Sequence, residues 1–502
     1  KRMPYSVTSF NPHHTHITLY LTHFILFLAL SPSVHSFNNW FRQPPSLFGP
    51  NKANIQMVQH FDDTSLPSWE ELDRLVKQTT RGKFMQEQES LREEGEGLPH
   101  TDAKIRRFGT TGEPRVTLYR DSAAWCPYCQ KVWIMLEEKR IPYKIEKINM
   151  RSYGDKPQSF LRLVPNGLLP AITLDGEVYT ESIDIMILLD QEFSGSKFPQ
   201  LWPKKEDEDH ERAVRLMRLE RDLFSRWCSL VFRPSYNSDN KRYFEQGLDL
   251  VNRELSVTSG PWFLDRLSIV DLQYVTHIER MCASVAYWCG LKIRDDDRWP
   301  AIERWFNAFE SLPSYMATKS DYYTHVMDIP PQYGKPYPLS GSEALARQID
   351  GSDNSWNLPL PPFSPSDVQP VSPAIDPGEE SARHEAAYKL IANNKGVVKF
   401  ALRGAGSPGK QTFGAPLADP YAEPNLGYLS DMDACLRLLS VVLLRGVEGG
   451  YELRKLAALE NNDRLNLVKS AAYLRDRVGV PRDMSYPAAR QLRAHLNWLI
   501  GR

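Results

Sequence analysis

The feature that most constrains this chain is a pair of cysteines two residues apart, in the string Trp125-Cys-Pro-Tyr-Cys129. A strand-like run, 115–120, comes just before it, and an apolar-periodic segment typical of a helix follows. At a helix N-terminus, unpaired backbone N–H groups and the macrodipole favour negative charge, so a thiol there is stabilised as thiolate. We therefore expect Cys126 to be an exposed nucleophile and Cys129, one turn further, to be its partially buried partner. Half a zinc site or a chance pair is the alternative.

The region around these cysteines, residues 113–195, alternates between strand and helix periodicity. Asp175-Gly176 lies between two short strands and favours a two-residue hairpin. The predicted elements are strand 116–119, helix 127–139, strand 143–148, helix 157–163, strands 171–174 and 177–179, and helix 182–193. The order βαβαββα, with the cysteine pair after the first strand, predicts an α/β thioredoxin-like domain.

The rest of the chain divides into further regions on composition. Residues 62–112 are highly charged and form an N-terminal arm, whereas 205–325 have all-helical periodicity. Ser268 and Asp271 form a capping box that opens one of these helices, which is a structural role. Residues 326–379 form a Pro-rich linker or extended strap, because 11 of the 37 prolines lie within 330–377 and should prevent helix or sheet. The periodicity of residues 380–502 predicts helices at 386–401, 432–444, 451–459, 465–478 and 487–500, which would form a separate, small all-α domain of unknown role.

The first 61 residues contain no Asp or Glu. An apolar run from Ile17 to Leu30 is too short to span a bilayer and is followed by a small-x-small pattern ending at Ser36. This layout predicts a signal peptide followed by a transit-like segment, which resembles the plastid presequence of algae with secondary plastids. The alternatives are secretion, or a cytoplasmic protein that starts at Met57.

Composition excludes several classes of function. A net charge of −1 gives no indication of nucleic-acid binding, and no stable membrane insertion is expected after processing. Six cysteines in 502 residues do not form a disulfide scaffold. No second ligand pair has zinc-site spacing, so no metal is expected. The remaining cysteines, 228, 282, 289 and 435, are expected to be small buried hydrophobic residues.

Two further motifs are expected at the same edge of the sheet as Cys126. Pro170 precedes the third strand of the domain, where a proline is tolerated, and we expect a cis bond after Leu169. Glu181 and Ser182 open the last helix of the domain. A helix N-terminus with an added hydroxyl suits a carboxylate, and Glu181 can accept from an ammonium group. An ordinary helix cap is the alternative.

With these motifs, residues 115–325 resemble a glutathione transferase. The resemblance rests on the string 164–170, on Glu181-Ser182, and on the string 263–271. It implies that Cys126 faces the glutathione sulfur and that Lys156 meets the glycyl carboxylate. It also implies that Leu169 pairs with the cysteinyl backbone, that Pro170 holds that turn, and that Glu181 and Ser182 bind the γ-glutamyl end.

A cysteine at the helix start resembles the cysteine-type classes (omega, lambda, dehydroascorbate reductase) rather than the Tyr and Ser types. If the protein were of the Tyr or Ser type, the hydroxyl of Tyr119 or Ser122 would stabilise the glutathione thiolate. The Cys-Pro-Tyr-Cys motif and the added C-terminal domain are similar to the iota class of photosynthetic organisms. This resemblance implies a glutaredoxin-like thiol transferase that uses glutathione as co-substrate.

The predicted function is therefore deglutathionylation through a mixed disulfide on Cys126, with Cys129 or a second glutathione as resolver. One alternative is conjugation of glutathione to electrophiles, with Phe224, Trp227 and Phe232 lining an apolar pocket. The other is a non-catalytic binding module in a plastid complex. Expected partners are glutathione and a thiol or disulfide substrate; a homodimer and a protein partner for residues 380–502 are left open.

Overall fold

The computed structural model describes residues 66–195, 197–234, 239–294, 297–410, 415–447 and 461–501. The predicted presequence, 1–61, and the helix expected at 451–459 lie outside these residues. The described chain belongs to one compact unit. No described helix is both long and apolar enough to cross a bilayer.

A five-stranded sheet carries the predicted thioredoxin-like pattern. Its strands are β1 (Ile105–Arg106), β2 (Val116–Asp121), β3 (Tyr143–Ile148), β4 (Ala171–Leu174) and β5 (Glu177–Thr180), in spatial order β1-β3-β2-β4-β5. Strands β2 and β3 are parallel, and the other neighbours are antiparallel. The fold class predicted from the sequence is confirmed. The additional strand β1 comes from the N-terminal arm and extends the sheet beyond β3.

The helices of the arm and of the thioredoxin-like domain lie close to their predicted positions. They are α1 (Trp69–Gln78), α2 (Thr80–Glu93), α3 (Pro127–Glu138), α4 (Gln158–Leu163) and α5 (Ser182–Glu192). Helix α3 begins directly after Cys126, with Pro127 in its first turn, where the missing N–H of proline has no cost. Nearly every residue of α3 is buried, because the sheet covers one side and the helical domain covers the other.

The helical domain consists of α6 (Asp209–Val231), α7 (Asp239–Leu255), α8 (Ile269–Cys289), α9 (Pro300–Glu310), α10 (Pro313–Met316) and α11 (Tyr322–Tyr333). Helix α8 runs through the centre, and all but one of its residues are buried. The predicted capping box opens it: the Asp271 carboxylate accepts from the Ser268 N–H at 2.9 Å and from the Ser268 hydroxyl at 2.7 Å.

The Pro-rich region differs from its prediction. Helix α11 continues through Pro330 and Pro331 to Tyr333, across the expected boundary at 325/326, and α12 (Glu343–Asp350) is a further helix. The prolines of α11 stand in its last turn, so the break comes after them. Between the prolines, buried anchors such as Trp356 and Val368 hold the strap against the helical domain. Proline content therefore indicated an extended course but did not exclude short helices.

The C-terminal region forms a bundle of α13 (Glu379–Ala392), α14 (Asn394–Ala401), α15 (Leu429–Arg445), α16 (Asn461–Arg475) and α17 (Tyr486–Ile500). The single helix expected over 386–401 is broken at Asn393. The bundle has a hydrophobic core distinct from the core that the thioredoxin-like and helical domains share. Helices α1 and α2 of the arm pack on this bundle, with Leu72 and Val76 fully buried in its core.

Candidate functional site

The two thiols lie at the turn from β2 to α3, and both are buried. Cys126 is the N-cap of α3 and is 8% exposed, whereas Cys129 is 1% exposed. The expectation of an exposed Cys126 is therefore wrong. That expectation considered only the position of Cys126 at the start of a helix. In the structure, α8 and α11 of the helical domain pack over this turn, and Arg280 and His325 lie next to Trp125.

The two thiols have opposite acidities. A hydrogen bond from the Cys129 thiol lowers the pKa of Cys126, although burial acts in the other direction. Burial, followed by the hydrogen bond to Cys126, raises the pKa of Cys129 well above its ordinary value. Cys126 is therefore the more acidic thiol of the pair, and Cys129 is the thiol that donates the hydrogen bond between them.

Asp121 is a buried carboxylate that the sequence reasoning missed. Its Oδ2 accepts from the backbone N–H of Trp125 at 2.6 Å and of Cys126 at 3.1 Å, which fixes the turn that carries the nucleophile. Its charge raises the pKa of both thiols. The sequence indicated this residue in one way: it is a charged residue at the end of a buried strand, five residues before Cys126.

Arg280 is the second residue that the sequence reasoning missed. From α8 of the helical domain, its guanidinium donates to the carbonyl of Trp125 and, at 2.9 Å, to the side-chain oxygen of Gln130 on α3. Its positive charge lowers the pKa of Cys126. The sign in the sequence was the charged pair Glu279-Arg280 inside an otherwise apolar helix.

Glu279 connects the same turn to α11. Its carboxylate bonds the His325 ring at 2.7 Å and the Ser320 N–H at 2.9 Å, and it accepts from Gln130 at 3.2 Å. The pKa of Glu279 is lowered to about 2: burial, the largest influence, raises it, but the bonds and charges of His325 and Arg280 outweigh that. This buried carboxylate is therefore ionised and orients the groups beneath Trp125.

A second buried polar network flanks α3. Glu220 on α6 bonds the His277 ring at 2.7 Å and accepts from Gln273 at 2.8 Å, and Gln273 in turn accepts from Lys131 at 2.5 Å. Burial lowers the pKa of Lys131 to about 7. The negative charges of Cys126 and Glu181 act on the pKa of Lys131 in the opposite direction.

Lys156 lies on the loop between β3 and α4. It is half-buried, and burial lowers its pKa, whereas negative charge on Cys129 and Cys126 raises it. Within the described residues the ammonium of Lys156 has no carboxylate partner. It lies near the Phe160 ring, with 5.8 Å between the nitrogen and the ring centroid. An unpaired ammonium near two thiols can accept an anionic group of a ligand.

The remaining predicted binding residues occupy the expected elements. The Leu169–Pro170 peptide bond is cis and directly precedes β4. Glu181 is the exposed N-cap of α5 with a φ of 63°, and its side chain makes no capping bond. Ser182, the first residue of α5, is buried. These residues therefore border the same end of the sheet as Cys126, as predicted, and their roles toward a ligand stay predictions.

The hydroxyls and aromatic rings considered as alternatives have other contacts. Ser122 donates to Asn149 at 2.7 Å, and the Tyr119 ring packs on Phe160. Phe224 and Trp227 are 3% and 1% exposed and pack against each other and Tyr333. These two rings are thus core residues and do not line an open pocket for electrophiles.

Among the described residues, one group of three metal-capable side chains has ligand atoms within 4.8 Å of one another: Asp121, Cys126 and Cys129. A closed structural zinc site needs four such ligands. The three side chains are therefore one ligand short of such a site.

The comparisons with known proteins agree with this geometry. Residues 125–192 match the sequence model of the family described as glutathione S-transferase, N-terminal domain. Glutathione S-transferase L3 of Arabidopsis thaliana is 28% identical over 203 residues, which are 39% of this chain and 79% of that protein. Glutathione S-transferase DHAR2 of the same plant is 24% identical over 196 residues, 39% of this chain and 84% of that protein.

A solved structure, glutathione transferase Omega 3C from Trametes versicolor, is 26% identical and covers 44% of this chain and 91% of its own, with a TM-score of 0.39. Each of these relatives leaves more than half of this chain unmatched. Residues 125–192 are thus similar to the N-terminal domain of glutathione S-transferases.

Proposed function

We propose that this protein is a cysteine-type glutathione transferase that acts as a glutathione-dependent thiol transferase. The observation that supports this most is the pair of thiols with opposite acidities: Cys126 has a lowered pKa and its neighbour Cys129 a raised one. A nucleophilic thiolate suits disulfide exchange, whereas conjugation needs a donor that stabilises the thiolate of glutathione itself.

In the first step, the Cys126 thiolate attacks the glutathione sulfur of a glutathionylated substrate. A bond forms between the Cys126 sulfur and that sulfur, the substrate S–S bond breaks, and the substrate leaves as a thiolate that takes a proton. In the second step, a glutathione thiolate attacks the mixed disulfide, releases oxidised glutathione and returns Cys126 as thiolate.

Cys129 is a weaker resolver in this scheme. Its high pKa keeps it protonated at neutral pH, so little of it is thiolate when the mixed disulfide forms. Its main contribution is the hydrogen bond that holds Cys126 as thiolate. Glutathione from solution is therefore the main resolving thiol.

The ligand would lie along the end of the sheet. Lys156 would receive the glycyl carboxylate, Leu169 before the cis Pro170 would pair with the cysteinyl backbone, and the start of α5 at Glu181 and Ser182 would hold the γ-glutamyl end. The unpaired ammonium of Lys156 and the uncommitted side chain of Glu181 support this placement, because both are charged groups without a capping or ion-pair partner in the described chain.

The assay uses the mixed disulfide of glutathione and 2-mercaptoethanol, with glutathione reductase and NADPH to follow oxidised glutathione. The wild type should turn over, and Cys126→Ser should be inactive. Cys435→Ala, which removes a buried thiol from the bundle core, is the matched control and should keep full activity. Activity that survives in Cys126→Ser would refute the proposal.

The finer class and the location are proposals as well. The Cys-Pro-Tyr-Cys motif together with the added bundle supports assignment to the iota class, and the acid-free residues 1–61 support plastid targeting. Residues 1–61 fused to a fluorescent protein should enter plastids, and the same fusion starting at Met57 should stay in the cytoplasm. Secretion of the first fusion would contradict plastid targeting.

A further inference from the structure

The start of α11, residues 320–325, is bonded by two regions of the molecule. On the side of the helical domain, the Glu279 carboxylate of α8 accepts from the Ser320 N–H at 2.9 Å and bonds the His325 ring at 2.7 Å. Asp321 lies between these two residues in the chain and caps the helix with its carboxylate. The position of this short segment therefore decides where the two groups that hold Glu279 lie.

The C-terminal bundle bonds the same segment. Arg493 on α17 donates to the Asp321 carboxylate at 2.5 Å, and the side chains of this ion pair are 2% and 0% exposed. The Ser320 hydroxyl donates to the Val480 carbonyl, in the loop between α16 and α17, and the Val480 N–H donates to the Thr324 hydroxyl at 3.2 Å. The bundle and α8 thus hold the start of α11 together.

Arg493 is itself fixed in place. Its guanidinium also donates to the Val478 carbonyl at 2.9 Å, and it lies 4.6 Å from the ring centroid of Tyr323 and 5.0 Å from that of Trp356. The planar guanidinium suits this combination of a carboxylate, a carbonyl and two aromatic rings. Because Asp321 is fully buried, its charge depends on this partner in the bundle.

Glu279 continues these contacts to the turn of the thiols. Its carboxylate accepts from the Gln130 amide at 3.2 Å, and the Gln130 oxygen accepts from Arg280 at 2.9 Å. Arg280 also donates to the carbonyl of Trp125, the residue before Cys126, and its charge lowers the pKa of that thiol. A series of buried hydrogen bonds and one peptide bond thus leads from the C-terminal bundle to the turn that carries the thiols.

We propose that Arg493 is a positioning residue for Cys126: it holds the start of α11, which holds Glu279 and, through Gln130, Arg280 at the turn of the thiols. This inference rests on the proposed function, in which Cys126 is the nucleophile, and adds that the C-terminal bundle helps to set the reactivity of this thiol. Without Arg493 the start of α11 loses its charged partner, Arg280 is held less firmly, and its positive charge stabilises the thiolate less.

The test measures how fast iodoacetamide alkylates Cys126 in the full-length protein over a range of pH, which also gives the pKa of the thiol. Arg493→Met should raise this pKa by about half a unit and slow alkylation at pH 7 by about threefold. Arg493→Lys, which keeps a cation beside Asp321, should recover most of the wild-type rate. The matched control, Arg81→Met, removes another buried ion pair of the bundle, that with Glu385 at the arm, and should react as the wild type does.

A double variant distinguishes positioning from a general loss of structure. In Arg280→Gln the charge that Arg493 positions is absent, so the addition of Arg493→Met should slow alkylation no further. If the two effects multiply instead, Arg493 does not act through Arg280 and the inference is overturned. Should Arg493→Met not fold, the milder Ser320→Ala, which loses the bond to the Val480 carbonyl, should slow alkylation by about twofold, and a wild-type rate would overturn the inference.

Turnover of the mixed disulfide separates this inference from the proposed function. If the wild type turns over but Arg493→Met alkylates at the wild-type rate, the function stands and the inference is overturned. If Arg493→Met slows alkylation as expected but the wild type does not turn over, Arg493 positions the thiol and the thiol-transferase function fails. Equal slowing in Arg81→Met would also overturn the inference, because any weakened contact of the bundle would then have the same effect.

Discussion

The turn at Asp121–Cys129 and the C-terminal bundle are both densely buried, but they are buried with different chemistry. Around the turn, buried charged groups of β2 and α8 bond the turn and the helix after it: Asp121 accepts from the N–H of Cys126, Arg280 donates to the carbonyl of Trp125, and Glu279 accepts from Gln130. The core of the bundle consists mainly of Leu, Ala and Val side chains, and polar side chains such as Ser440 and His495 are buried beside them. Some of its buried charged groups pair with other regions, as Glu385 does with Arg81 and Arg493 with Asp321, and others pair within the bundle, as Arg475 does with Asp476.

The difference concerns the stability that buried charges cost and the effect that they have on a nearby thiol. Buried charges lose solvation and need exact partners, so an apolar core of the same volume is at least as stable. A cluster of buried charges around a thiol compensates for this loss of stability only if it changes the reactivity of the thiol. Changes near the turn should therefore alter reactivity, and changes in the bundle core should alter stability alone.

The largest effect is expected at the two thiols. Cys126→Ser should reduce turnover to background, because it removes the nucleophile. Cys129→Ser should reduce it by roughly tenfold or less, a barrier change of about 1.4 kcal/mol, because glutathione can resolve the intermediate and only the hydrogen bond to Cys126 is weakened. Steady-state kinetics on the mixed disulfide measure both. A total loss in Cys129→Ser would make Cys129 the obligatory resolver.

In the bundle, Leu439→Ala should lower the free energy of unfolding by about 2–5 kcal/mol, because Leu439 is fully buried in the bundle core. The rate at which iodoacetamide alkylates Cys126 should not change under conditions where the variant is folded. Chemical denaturation measures the first quantity, and mass spectrometry of the alkylated peptide measures the second. A changed alkylation rate in the folded variant would break the comparison.

At the turn, Arg280→Gln should raise the pKa of Cys126 by about one unit and slow its alkylation at pH 7 by about tenfold, because a nearby positive charge is lost. The control is Arg294→Gln, another buried arginine of the helical domain, which is paired with Glu303 and Glu310. That variant should lose stability and leave the pKa of Cys126 where it was. If the pKa of Cys126 were the same in both variants, Arg280 would have no specific role in setting it.

An effect of pH on stability is expected from Asp328, which accepts from the Tyr153 hydroxyl at 2.7 Å. Burial raises its pKa to about 7. Because the pKa is higher in the folded state, the carboxyl contributes stability below its unfolded pKa near 4, and this contribution is lost as pH rises toward 7, by up to about 1.4 kcal/mol per unit.

Asp328→Asn should remove this pH dependence, since the amide does not ionise. Denaturant titrations of both proteins between pH 5 and pH 8, at roughly unit steps, compare the slopes. Identical slopes in the two proteins would show that Asp328 does not titrate in this range.

The sequence predicted the local features of this molecule well. The strand 143–148 agrees in both bounds with β3, and the cysteine pair, the proline before β4 and the capping box at Ser268 lie where they were expected. Each of these features depends on residues close together in the chain, whose periodicity or backbone geometry is visible locally.

What could not be predicted depends on contacts between distant segments. The burial of Cys126 arises because the helical domain covers the turn, and Arg280 reaches Trp125 from 155 residues away. The arm helices α1 and α2 pack on the bundle about 300 residues later in the chain, as shown by the Tyr388–Glu89 hydrogen bond of 2.7 Å. Periodicity shows that such segments have an apolar face, but not which partner covers it.

The most direct test of the account is mass spectrometry of the full-length protein after exposure to oxidised glutathione. The account predicts one glutathione adduct, located on the peptide that contains Cys126, and its loss in Cys126→Ser. In Cys129→Ser the adduct should persist, because the nucleophile is intact. An adduct on Cys129 in the wild type, or none on either thiol, would contradict the assignment of Cys126 as the attacking thiolate.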